Sequence, residues 1–250
     1  MTEQKQYRPQ DYEVKEALDG KQFGQLTPAM QLFVGSLFPK ARHDDMVHCD
    51  LCDNYEKPDV VITVGDEAHF PSLKSGRSKS VHYENIKNLI LFLRGLGVSE
   101  QTQKTLLFYH YGDGTLTGTG ETRLEKEELL LRYPERISLA IAELNQKRIV
   151  RACLKRFLFT GSEKREHSAD YLAFGDINTF VVVSKDEIFD FVMRQNYNHL
   201  RSVHIGPMLL SPWQRNIKRE EDKEWKRSIV HVTWPYLLTD MERMIKRRGH

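Results

Sequence analysis

The chain has 250 residues, of which 40% are hydrophobic and 29% charged, with 37 Lys and Arg set against 35 Asp and Glu. This is the composition of an ordinary globular protein with one good core or two small ones, not of a low-complexity or disordered chain. Nothing approaches the ~18 apolar residues of a membrane span, residues 1–10 carry no apolar signal core, and three cysteines argue against a disulfide framework, so a reducing, cytoplasmic setting is expected. The net charge of +2 says nothing about partners by itself. Local basic clusters matter more where a phosphate backbone is concerned.

In chain order, residues 9–38 read as helical. Asp11 is a candidate N-cap for a short helix that ends at Gly20. Thr27-Pro28 places a capping hydroxyl before Pro at the first helical position, and Met30, Phe33, Val34, Leu37 and Phe38 then form a buried stripe that Pro39 stops. Residues 43–52 (HDDMVHCDLC) set Cys49 and Cys52 beside His43 and His48. Two thiolates and two imidazoles can make a tetrahedral zinc site, but no second Cys or His pair follows at finger spacing and Cys153 is too distant to assign. A loop with free thiols is the better reading, and structural Zn²⁺ is not expected.

Val60 to Val64 is a β-branched apolar run, hence a strand, and Gly65-Asp66 suits a hairpin turn. Residues 70–74 give the second arm, with Ser72 and Lys74 on one face and Lys74 opposite Asp59. A polar loop with Arg77 and Lys79 leads to a helix expected from Val81, with Ser80 as N-cap and Ile86, Leu89, Ile90 and Leu93 facing inward. Glu84 then falls outside the capping position and is free for other work. Residues 106–111 (LLFYHY) read as a strand. The Gly-rich residues 112–120 lack the Gly-Lys-Ser/Thr ending of a triphosphate loop, which excludes that site. Residues 124–156 are helical apart from a break at Tyr133-Pro134. Arg136, Lys147, Arg148, Arg151, Lys155 and Arg156 face outward there, which fits a DNA-backbone contact and a solvated face equally well. Strands are expected at 157–161, 170–176 and 180–183, followed by a capping box, Ser184 to Glu187, opening another helix. Residues 203–216 give a strand and a turn whose Trp213, Gln214 and Arg215 are types that stack on bases or read their edges. A strand at 229–234 and a basic helix close the chain.

Lys57-Pro58-Asp59, the strand behind it, Ser72-Leu73-Lys74 and the following segment KSGRSKSVHYE (residues 74–84) together resemble the PD-(D/E)xK nuclease superfamily, specifically a group of bacterial restriction-type endonucleases. The resemblance implies an α/β (α+β) class with a restriction-endonuclease-like core, a mixed β-sheet flanked by helices, and a C-terminal β/α layer. It divides the chain into a nuclease core with N-terminal helices at 1–156 and a C-terminal portion at 157–250, suited to DNA recognition and packed with the core as one compact unit. The implied activity is Mg²⁺- or Mn²⁺-dependent cleavage of double-stranded DNA in defence against phage, by a homodimer that matches a two-fold site.

Within that resemblance the catalytic set is Asp59, Ser72, Lys74 and Glu84. Asp59, Glu84 and the Leu73 carbonyl would hold the metal, and Lys74 would orient water and offset phosphate charge. Ser72 departs from the family pattern, since a carboxylate is expected there; Glu84 is the implied replacement, with Glu13 and Glu16 as second choices. Arg77, Lys79, His82, Arg148, Arg151, Lys155, Gln214 and Arg215 are the expected DNA contacts. Because Ser72 breaks the pattern, a catalytically inactive DNA-binding module of the same fold is the alternative.

Overall fold

In a computed structural model of the chain, the described residues are 8–52, 57–75, 79–121, 123–162, 166–197, 202–213 and 224–249. Pro9 opens the first helix, α1 (Pro9–Leu18), where its missing N–H costs nothing. Asp11 is therefore the third helical residue and not the N-cap; its carboxylate accepts the Arg8 backbone N–H at 3.1 Å. After a short strand β1 (Lys21–Gln22), the Thr27 hydroxyl accepts the Met30 N–H at 3.3 Å and starts α2 (Pro28–Leu37), which buries Met30, Phe33, Val34 and Leu37 as its spacing predicts. Strands β2 (Met46–Leu51) and β3 (Val60–Val64) alternate buried with more exposed residues and pair antiparallel. Gly65, at φ +59°, makes the turn to β4 (Glu67–His69), which pairs back onto β3. The hairpin arm expected at 70–74 is thus taken by β4. The next strand, β5 (Pro71–Lys74), leaves this sheet altogether.

The helix expected from Val81 is also displaced. Residues 80–85 form β6 (Ser80–Asn85), and the helix α3 (Ile86–Gly95) begins only where the Asn85 side chain accepts the Lys87 N–H at 2.9 Å. Residues 106–111, expected as a strand, complete α4 (Glu100–Tyr111), opened by the Ser99 hydroxyl and closed by Gly112 at φ +64°. Helices α5 (Lys126–Arg132), α6 (Pro134–Leu144) and α7 (Lys147–Leu154) follow, with the break at Tyr133 and Pro134 as expected. Residues 157–161 are not a strand: Lys155–Thr160 is a π-helical stretch that buries Phe157, Leu158 and Phe159. A short continuous apolar run carries no period by which to tell helix from strand. Then come β7 (Tyr171–Asp176), β8 (Thr179–Ser184) and α8 (Lys185–Met193). The capping box forms in both directions, Ser184 N–H to Glu187 at 2.7 Å and Glu187 N–H to the Ser184 hydroxyl at 3.3 Å. Strands β9 (His204–Ile205), β10 (Met208–Pro212) and β11 (Ile229–Thr233) precede the last helix, α9 (Leu237–Lys246).

The chain is of the mixed α and β class. It packs as two units that both draw on distant parts of the sequence, so the division expected at residues 156 and 157 does not describe them. The first unit comprises Met1–Ser78, Lys155–Phe191 and Tyr236–His250. It holds the antiparallel sheet β1-β2-β3-β4 and a three-stranded sheet β5-β7-β8, in which β5 runs parallel to β7 and β8 antiparallel to it. Val14 and Leu18 of α1, Phe33 and Val34 of α2, Val60 and Ile62, Leu73, Ala173 and Val182 share one core. The second unit comprises Lys79–Leu154 and Val192–Pro235, with the antiparallel sheet β6-β11-β10-β9 and the helices α3 to α7. Among the described residues, no helix is long and apolar enough to cross a membrane.

Candidate active site

Asp59 stands one residue before β3, tied by its backbone to the start of β5: its N–H donates to the Pro71 carbonyl at 3.1 Å. The carboxylate lies along β5, where one oxygen accepts the Leu73 N–H at 2.5 Å and the Ser72 hydroxyl at 3.1 Å. Strand alternation explains the rest. Leu73 faces the core, so Ser72 and Lys74 point the other way, towards the side on which Asp59 sits. Ser72 is fully buried and its hydroxyl donates to Asp59.

The remaining parts of the cluster come from α1. The Arg8 guanidinium lies 2.7 Å from the second oxygen of Asp59 and 2.8 Å from Asp11 Oδ1, and it donates to the Leu73 carbonyl at 3.1 Å. A further bond joins its Nε to Asp11 Oδ2 at 3.2 Å. Two carboxylates and a backbone carbonyl therefore converge on one positive group, a set of hard oxygens of the kind Mg²⁺ prefers. Burial works against the Arg8 charge, but Asp59 and Asp11 outweigh it and hold the guanidinium above its ordinary pKa. For Lys74, half-buried on the same strand as Leu73, burial prevails. It pulls the ammonium below its ordinary value against the attraction of Asp59, and Arg8 adds to the depression.

Asp59, Ser72, Leu73 and Lys74 are thus brought together. Glu84 is on a strand of the second unit, opposite Val230 of β11, where it is buried with its carboxylate 3.3 Å from His82 Nε2. Glu13 and Glu16 are on the exposed side of α1. The carboxylate beside Asp59 is Asp11, which shares the buried face of that helix with Val14 and Leu18. Two signals could have found it: Pro9 fixes the first helical position, and Asp11 then falls three residues from Val14, on the inward stripe.

Of the expected DNA contacts, His82 is corrected: it is buried in β6 against Glu84 and not exposed at a helix start. Arg148 donates to the Leu96 carbonyl, while Lys79, Arg151 and Lys155 are exposed. Arg77, Gln214 and Arg215 lie outside the described residues. The Cys49 and His48 side chains take opposite faces of β2. Cys49 sits in the core, where burial pushes its thiol up to about 12. Among the described residues, no group of three or more His, Cys, Asp or Glu side chains could hold a metal ion, and the oxygen set above has two such residues.

Asp113 organises the Gly-rich loop. Its carboxylate accepts the N–H and hydroxyl of Thr115, the Gly120 N–H at 3.0 Å and Arg123 at 2.6 Å, with Arg227 at 3.4 Å. Glycine is required at 118, where φ is +77° and a Cβ would stand 2.6 Å from the Tyr111 ring. The loop is a structural knot around a buried charge. No protein-family model matches the chain, and a search of curated proteins finds no match.

Proposed function

We propose that the Asp59–Lys74 cluster is the centre of a divalent-metal-dependent deoxyribonuclease of the restriction-endonuclease-like kind, acting in the cytoplasm on double-stranded DNA foreign to the cell. The observation that carries this reading is the convergence of Asp59, Asp11 and the Leu73 carbonyl on a single cation, with Lys74 on the same strand. That set fits Mg²⁺ or Mn²⁺, with Asp59, Asp11 and Leu73 as the groups that would hold it. Bound there, the metal would activate water and neutralise charge on the phosphate. Ser72 keeps the Asp59 carboxylate turned towards β5. Lys74, its pKa lowered by burial, is suited to exchanging a proton with the attacking water and to offsetting charge on the scissile phosphate. Arg8 holds the two carboxylates together when no divalent ion does.

The test is a supercoiled plasmid and phage DNA, methylated and unmethylated, incubated with Mg²⁺ or Mn²⁺. Cleavage by the wild type should fall ~100- to 10,000-fold in Lys74→Ala and be lost in Asp59→Asn and Asp11→Asn. If wild type and Lys74→Ala are equally inert on every substrate, the reading is abandoned. A second reading, a non-catalytic DNA-binding module, is favoured by Ser72 in the carboxylate position and by Arg8 lying across the same oxygens. It predicts salt-dependent duplex binding without metal-stimulated cutting. A homodimer is part of the first reading, since two-fold symmetry in the protein matches a palindromic site; sedimentation of the free protein checks it.

A further inference from the structure

The second unit carries an arrangement that neither duplex cleavage nor core packing uses. Its sheet β6-β11-β10-β9 buries alternate residues on one face (His82 and Glu84, Val230 and Val232, Met208 and Leu210) and turns Tyr83, His231 and Ser211 to the other. On that outer face Tyr83 of β6 is in register with His231 of β11, and His231 with Ser211 of β10. The Tyr83 and His231 rings stack with centroids 4.4 Å apart and planes 7° from parallel. Just past β10, Trp213 is pinned to the sheet by its N–H, which donates to the Ile229 carbonyl at 2.9 Å, and its ring lies 5.1 Å from Tyr83. Trp225 stands edge-on to Trp213 at 5.9 Å. The Lys226 ammonium lies over both indoles, 4.9 Å from Trp213 and 5.6 Å from Trp225.

Buried aromatic residues need no further account, but these are not buried: Tyr83 is 44% exposed, Trp213 38% and Trp225 58%. The row thus offers exposed aromatic rings along one face of the sheet and its margin, flanked by a cation and by the small polar side chains of Ser211 and Thr233. A surface built to dock an apolar protein helix would present branched aliphatic residues in a groove. Flat rings with a cation among them suit planar, anionic ligands, and nucleotides have both properties.

We infer that the outer face of this sheet, centred on Tyr83, Trp213, Trp225 and Lys226, is a binding site for unpaired nucleotides, which stack their bases on the rings and set phosphates against Lys226. Paired bases are stacked on one another and hidden, so duplex DNA does not satisfy the site. Stacking on such rings is tolerant of sequence, and no base preference is expected from it. The inference stands whether or not the Asp59 cluster cuts DNA.

The experiment titrates the full chain with fluorescein-labelled oligo-dT, oligo-rU and a duplex of the same length, in EDTA so that cleavage does not interfere. Tryptophan emission and oligonucleotide anisotropy are read together. Single strands should quench the indoles and bind at least tenfold more tightly than the duplex. Trp213→Ala and Tyr83→Ala, both at exposed positions, should each weaken single-strand binding by roughly 5- to 100-fold, with unchanged far-ultraviolet circular dichroism. Asp59→Asn should bind as the wild type does, which separates this site from the proposed catalytic one. Tighter binding of oligo-dT assigns DNA as the partner, and tighter binding of oligo-rU assigns RNA. Equal affinity of wild type, Trp213→Ala and Tyr83→Ala, or binding without quenching, overturns the inference.

Discussion

Replacing Arg8 by Met tests the heart of the proposed centre, because it removes the cation and keeps an unbranched stem in place. Arg8 makes three contacts to the carboxylates of Asp59 and Asp11 and one to the Leu73 carbonyl. Hydrogen bonds to charged groups are worth about 1.5–3 kcal/mol each when well sheltered. The Arg8 side chain is 43% exposed, so solvent screens them, and about 2–3 kcal/mol in total is a reasonable expectation. For a chain of this size that corresponds to a loss of roughly 5–10 °C in Tm. The variant leaves two carboxylates facing each other, a pair that a divalent ion should relieve. A ligand at a hundred times its Kd stabilises the native state by about 2.7 kcal/mol, enough to restore the loss. In the wild type Mg²⁺ must first displace Arg8, and 2–3 kcal/mol against binding raises the half-point concentration by roughly 30- to 150-fold. Thermal melts across a Mg²⁺ series, with Arg8→Met/Asp59→Asn as the non-binding control, measure both effects. If Arg8→Met melts with the wild type, or gains no more from Mg²⁺ than the wild type does, the oxygen set is not a metal site.

Three further outcomes follow from the described geometry. Lys74→Met should raise Tm at pH 7, because the folded state disfavours the Lys74 ammonium. The unfolded chain binds more protons below its ordinary lysine pKa, so wild-type stability climbs with pH towards that value and the advantage of the variant shrinks; melts from pH 7 to 10 check the sign. Asp113→Asn should cost about 3–5 kcal/mol in urea unfolding, since Arg123 and the buried Arg227 lose their countercharge, and a loss under 1 kcal/mol would sink the view of that loop as a charge-centred knot. Native Cys49, its thiol held at about 12 in the core, should resist iodoacetamide at pH 8 and react on unfolding; rapid native labelling, located by mass spectrometry, would contradict its placement.

Much of the framework could be read from the sequence because it rests on local rules. The β-branched run of β3, the Thr27-Pro28 start of α2 and the Ser184–Glu187 box each follow from a few neighbouring residues. The failures are those of non-local context. Helix α4 buries Thr102, Gln103, Thr105, Leu106, Phe108, Tyr109, His110 and Tyr111, so residues 106–111, its second half, have no polar face to betray a helical period. Residues 80–85 look like a helix start as readily as a strand until β11 supplies a partner, and that partner is far away in the chain. For the site, Asp59, Ser72, Leu73 and Lys74 were legible as a pattern. Asp11 and Arg8 were not, because an acid near a helix start is first read as a cap. Only the approach of α1 to β5 shows that the same acid also meets a guanidinium shared with Asp59.

The parallel pairing of β5 with β7 has a consequence for how the protein is made. Residue Lys74 finds its strand neighbour in Phe174, a hundred residues later in the chain, while β2, β3 and β4 need nothing beyond His69 to pair. At about 5–20 residues per second, a ribosome that has completed β3 behind Asp59 still needs several seconds before the strand that fixes Lys74 exists. A chain interrupted in that interval carries the acid without an anchored lysine. Translation order thereby delays the assembly of the proposed catalytic pair until the first unit is nearly whole.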